Sequence, residues 1–162
     1  MKNKTRLLFS FLLAAILLAG MVSCFKDNNE EKEMKIIANF LKDQGIDTEP
    51  TESGLYYIEM TEGTGIQPVT GDTVEIYYVG YFLDGRIFDS NLNSDPFRFA
   101  LGSGNTIQGI DEGVSYMKES GKALLVIPSS LGYGSTGSYV VPGYTPLAFD
   151  VVLDKVIIGP YH

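Results

Sequence analysis

The chain has 162 residues, enough for one domain with a substantial core, and an ordinary hydrophobic content of 44%. Its formal net charge of −8 argues against a nucleic-acid partner, which needs basic grooves over phosphate, and against electrostatic docking to anionic lipid. The one histidine, His162, and the one cysteine, Cys24, exclude a histidine-based triad and an intrachain disulfide, and argue against a histidine-ligated metal site.

Lys2, Lys4 and Arg6 form a basic start, and Leu7 to Gly20 is an apolar run too short to span a bilayer comfortably. That is the shape of a signal peptide. It ends at Met21-Val22-Ser23-Cys24, which resembles a bacterial lipobox, with Met21 where Leu is more usual. The resemblance implies that residues 1–23 are removed and that Cys24 becomes a lipidated N-terminus in the cell envelope. Cleavage would take away three of the 12 basic residues and none of the 20 acidic ones, so the mature chain is more acidic still. Membrane attachment would then rest on acyl chains.

Phe25 to Glu33 reads as a solvated tether or as an acidic surface-export signal. From Glu31 to Gln44, Met34, Ile37 and Leu41, with Ile36 and Phe40, recur at helical spacing, and Gly45 is a stop. Such a stripe must pack on something: it caps the domain or pairs two chains as a homodimer. Asp47 to Ser53 is a linker, so residues 24–53 form a tether and helix ahead of a domain over residues 54–162.

In that domain, strands are predicted over Gly54–Met60, Asp72–Phe82, Arg86–Asp89, Phe97–Leu101, Lys122–Pro128 and Pro146–Ile158. Val74, Ile76, Tyr78 and Gly80 alternate with Glu75, Tyr77, Val79 and Tyr81, the period of a two-faced strand. Asp84-Gly85 is a hairpin turn signal, because Gly accepts the positive φ such turns need. Gly109 to Met117 is the one helix predicted within the domain, which makes the fold class α+β. Ser129 to Pro146 is a long loop rich in Gly, Ser, Thr and Tyr, of the kind that is usually functional or mobile.

The segment Val74 to Phe99 gathers many aromatic residues beside one acid. On spacing alone these rings read as core, since strands favour aromatics. Their order adds more. Tyr78-x-Gly80, Asp84-Gly85, Phe88-Asp89-Ser90 and Pro96-Phe97-x-Phe99 are followed by Ile107-Gln108-Gly109-Ile110-Asp111-Glu112-Gly113. Then come Gly121-Lys122-Ala123, Ile127-Pro128-Ser129-Ser130-Leu131-Gly132-Tyr133-Gly134 and Leu147-x-Phe149-Asp150-Val151. From about Gly54 to Ile158 the chain resembles the FK506-binding-protein (FKBP) type of peptidyl-prolyl cis-trans isomerase.

The resemblance implies a twisted antiparallel sheet wrapped around one short helix, and catalysis without metal or other cofactor. It also implies residue roles. Tyr78, Phe88, Phe99 and Phe149 would wall the pocket, with Phe97 at its rim. Ile110 would form the floor, and Val141 would close it from the overhanging loop. The Ile107 N–H and the Tyr133 hydroxyl would bind substrate carbonyls, and Asp89 would sit at the edge in a polar group centred on Tyr78. Partners would be proline-containing, unfolded exported polypeptides and a macrolide of the FK506 type. Ile110 departs from the family, whose active members mostly carry Trp there, and Thr106, Ser138 and Tyr139 depart from its commoner loop pattern. The alternative is an FKBP-like module that binds proline-containing or unfolded chains with little turnover.

Overall fold

The computed structural model describes residues 28–160; the signal segment, Cys24 and residues 25–27 of the expected tether lie outside the described residues, while residues 28–33, expected as tether, are the first turns of a helix and end on a buried Glu33. Helix α1 covers 28–44. It is followed by β1 (Tyr56–Thr61), β2 (Thr73–Phe82), β3 (Ile87–Ser90), β4 (Phe97–Ala100), α2 (Gln108–Tyr116), β5 (Lys122–Ile127) and β6 (Leu147–Ile157). A 3-10 turn at Ser129–Leu131 opens the long loop before β6. Among the described residues no helix is long and apolar enough to cross a membrane.

The six strands form one antiparallel sheet in the order β1-β5-β6-β2-β3, and β4 also pairs with β2. Strand β2 is the axis of the site. It pairs along its whole length with β6, from Thr73 opposite Ile157 to Phe82 opposite Leu147. Its other edge is shared, with β4 beside Thr73–Ile76 and β3 beside Val79–Tyr81. The hairpin into β3 turns at Gly85, whose φ of +89° a side chain would strain. A register shift between Gly80 and Tyr81 sets Asp89 opposite Gly80 and Ile87 opposite Tyr81, so Phe88 is the extra residue of a bulge.

The sheet buries both faces. Leu125 and Ile127 on β5, with Ile76, Phe149, Val151 and Leu153, face helix α2 through Ile110 and Val114. Gly109 and Gly113 let the helix come close, because a Cβ on either would lie 2.5 Å from Ile127 Cγ2 or Leu125 Cδ1. The opposite face, with Leu124, Val126, Ala148 and Tyr56, is covered by Ile37, Phe40 and Leu41 of α1. Double burial is why β5 reads KALLVI without alternation. Covering the three α1 side chains stabilises the fold by roughly 1.5–3 kcal/mol each.

The predicted α1 stripe needs a correction. Ile37, Phe40 and Leu41 are buried, but Met34 and Ile36 are 50% and 47% exposed. The fourth residue of the buried stripe is Glu33, one helical turn before Ile37.

Candidate active site

A cavity of about 510 Å³ opens between β2, the start of α2 and the loop after β5. Tyr78 is on the α2-facing side of β2, in phase with Ile76, and both line the cavity. Phe97 from β4, Phe149 from β6, and Ile107 and Ile110 from the start of α2 complete the apolar lining. Asp89 and Tyr133 bring the polar groups.

The aromatic residues form one connected row. Phe82 meets Phe88 at 5.2 Å between ring centroids, Phe88 meets Phe149 edge-on at 5.6 Å, and Phe149 meets Tyr78 at 5.9 Å. Tyr78 meets Phe97 edge-on at 6.3 Å, and Phe97 stacks on Phe99 at 5.3 Å. These separations lie in the range where ring pairs attract beyond their buried area. Each ring therefore holds the next.

Seven of the residues expected at the site line the cavity: Tyr78, Asp89, Phe97, Ile107, Ile110, Tyr133 and Phe149. Three stand behind it. Phe99 is 3% exposed and supports Phe97; Phe88 supports Phe149; Val141 is 1% exposed within the core cluster. They shape the wall without being its surface: Phe88 and Phe99 each back a ring that lines the cavity, and Val141 packs in the core cluster beneath it. The cavity also has lining from Gly104, Asn105, Thr106, Gln108 and Gly132. The approach to α2 that carries Gly104 to Thr106 is fixed by Asp111, whose two carboxylate oxygens accept the Gly102 N–H at 2.9 and 3.0 Å.

Tyr78 Oη donates to Asp89 Oδ2 at 2.8 Å, and Asp89 Oδ1 accepts the Ser90 N–H at 2.9 Å. Asp89 thus serves the turn after it and the site at once. Burial first, then the hydrogen bond and charge of Asp89, hold the Tyr78 phenol well above the ordinary tyrosine range. Burial and then the charge of Asp89 raise Tyr133 in the same direction. Both hydroxyls remain protonated donors at neutral pH.

Two residues that sequence reasoning did not single out fasten the site. Asn91 is buried; its Oδ1 accepts the Tyr78 N–H at 2.8 Å and its Nδ2 donates to Ile76 O at 2.9 Å. It satisfies the backbone of β2 in the gap between β3 and β4. Glu33 reaches the loop that bears Tyr133. That loop is not loose: Gly137 N–H donates to Tyr133 O, Ser138 N–H to Val141 O and Tyr144 N–H to Gly134 O, at 3.0, 2.7 and 3.0 Å. Among the described residues no cluster of three or more His, Cys, Asp or Glu is placed to hold a metal ion.

A family model described as FKBP-type peptidyl-prolyl cis-trans isomerase matches residues 64–154. The chain belongs to the FKBP-type peptidyl-prolyl cis-trans isomerase family. It is 42% identical over 105 residues to an FK506-binding protein of Neisseria meningitidis, covering 64% of this chain and 96% of that one. The crystal structure of FkpA from Escherichia coli superposes with a TM-score of 0.72 at 35% identity, over 82% of this chain and 61% of FkpA. A peptidyl-prolyl cis-trans isomerase of Pseudomonas syringae superposes at 0.70 and 32% identity, over 82% of this chain and 96% of that one. As an FKBP-type isomerase, the chain places its aromatic cavity within the matched segment.

Proposed function

We propose that this isomerase acts on X-Pro bonds of exported, incompletely folded polypeptides, with the cavity around Tyr78 as its active site. The observation that carries the reading is the Tyr78–Asp89 hydrogen bond of 2.8 Å at an aromatic-walled cavity.

The chemistry follows from the amide. Resonance sets a barrier of roughly 18–20 kcal/mol, and uncatalysed X-Pro bonds turn over in roughly tens to hundreds of seconds. On twisting, the C–N bond loses double-bond character and the amide loses polarity. A dry aromatic wall from Tyr78, Phe97 and Phe149 therefore favours the twisted state over the planar, better-hydrated one. Each ~1.36 kcal/mol of that preference is tenfold in rate. Ile110 supports the proline ring from below, while the Ile107 N–H and the Tyr133 hydroxyl receive flanking carbonyls. Asp89 orients Tyr78 through their hydrogen bond. No proton moves in the net reaction, so Asp89 is needed as neither acid nor base.

The rim also sets a preference. Phe97, Ile107 and Tyr133 suit an apolar residue before proline, and Asp89 repels an acidic one. A Leu-Pro tetrapeptide is expected to show a kcat/KM about tenfold above that of its Glu-Pro counterpart, a difference of about 1.4 kcal/mol. Equal values would contradict this placing of Asp89. A second reading, a proline-binding module with little turnover, is favoured by Ile110, which offers less contact area than the Trp usual in the family.

The anchor is part of the same proposal. The basic start, the apolar run and Cys24 support a lipidated envelope protein whose clients arrive unfolded. Two copies would pair through one exposed flank of α1, with Met34 on one side of the buried stripe or Ile36 on the other. A macrolide of the FK506 type would enter the cavity over Ile110, where the missing ring weakens its hold.

A further inference from the structure

Glu33 is a carboxylate on α1 that is only 5% exposed. It spends both oxygens on one residue, 96 positions away. Oε1 accepts the Ser129 N–H and Oε2 accepts the Ser129 hydroxyl, the latter at 2.7 Å. Two donors from one residue fix both its peptide plane and its side-chain rotamer, and charge-assisted bonds of this kind are stronger than neutral ones.

The restraint continues along the backbone. The Ser129 carbonyl accepts the Gly132 N–H at 3.0 Å and the Gly134 N–H at 2.7 Å. Those two residues flank Tyr133, and Gly132 and Tyr133 both line the cavity. Gly134 in turn holds Tyr144 across the loop at 3.0 Å. A carboxylate from outside the isomerase sheet therefore sets the residue from which the Tyr133 turn hangs.

We propose that Glu33 is a positioning residue for the isomerase reaction, through which helix α1 fixes the placement of the Tyr133 hydroxyl by way of Ser129. The inference rests on the reading of Tyr133 as a donor to a substrate carbonyl. Its competitor is a purely structural clamp that fastens α1 to the sheet. The two differ in what a folded variant does. A clamp changes stability alone, whereas a positioning residue changes catalysis and does so through Tyr133. Small displacements of a binding group carry large costs in rate, which is what makes the difference measurable.

The test is a double-mutant cycle on the full chain, with kcat/KM measured on a Leu-Pro tetrapeptide at a temperature where urea curves show every variant folded. Tyr133→Phe and Glu33→Ala are each expected to lower kcat/KM by about three- to tenfold, the equivalent of one hydrogen bond. In the Tyr133→Phe background, Glu33→Ala is expected to cost less than about twofold further. Glu33→Gln, which keeps one acceptor for the Ser129 N–H and a donor for its hydroxyl, is expected to restore the rate to within about twofold of wild type. Should Glu33→Ala not fold, Ser129→Ala, which keeps the N–H bond and loses the hydroxyl, takes its place in the cycle. An equal loss in both backgrounds overturns the proposal, as does an unchanged rate in the folded Glu33→Ala protein while Tyr133→Phe is impaired. If Tyr133→Phe retains full activity, the role of Tyr133 falls first and that of Glu33 with it.

Discussion

Replacing Gly80 with valine is expected to lower kcat/KM by about tenfold or more, because Phe149 of the cavity wall and Phe88 behind it both close on Gly80. A Cβ at this position would lie 2.7 Å from Phe149 Cε1 and 2.9 Å from Phe88 Cζ. Those distances are inside van der Waals contact, and both rings are held by further rings. Phe88 is pressed by Phe82, and Phe149 by Tyr78. The rings cannot move separately, so the new side chain drives Phe149 into the cavity it lines. Overpacking of this kind also costs about 1–3 kcal/mol of stability. Peptide kinetics and a urea midpoint measure the two effects. An unchanged kcat/KM together with an unchanged midpoint would show that the rings yield and that the row is not coupled.

The second large effect is expected at Asn91. Asn91→Leu keeps a side chain of similar size but leaves the Tyr78 N–H and the Ile76 carbonyl without the partners they have at 2.8 and 2.9 Å. Each orphaned backbone group costs about 1–3 kcal/mol when water cannot reach it. A third bond, from Nδ2 to Asp95 O at 3.4 Å, is lost as well. The loop between β3 and β4 would then detach from β2 beside Tyr78. Chemical denaturation is expected to show a loss of about 2 kcal/mol or more. A loss below about 0.5 kcal/mol, the size of an ordinary surface change, would mean that solvent satisfies those groups instead.

Much of this fold is legible in the residues. The alternation from Val74 to Gly80 gives β2 and the side that faces α2, and Asp84-Gly85 gives the hairpin. The turn into α2 and its Gly109–Gly113 spacing follow from the motif around Ile110. Other features are not legible, for definite reasons. Periodicity places Glu33, Ile37, Phe40 and Leu41 on one stripe of α1, but a carboxylate in such a stripe is ordinarily read as solvated. Its partner is Ser129, far along the chain, and nothing local announces it. Asn91 likewise looks like a turn residue, and its role depends on a gap in the β2 edge that only the sheet register reveals. Phe88, Phe99 and Val141 show a related limit. Sequence order puts them near the pocket, but the layer each occupies depends on packing depth.

The most direct measurement is cis-to-trans conversion of a Leu-Pro tetrapeptide in a protease-free assay, comparing wild type with Tyr78→Ala. Wild type is expected to accelerate the reaction, and Tyr78→Ala to lose about tenfold or more, because it removes a wall of the cavity and the donor to Asp89 together. No rate above background in wild type, with catalysis appearing only in Ile110→Trp, would contradict an active aromatic site and leave a proline-binding domain without its floor.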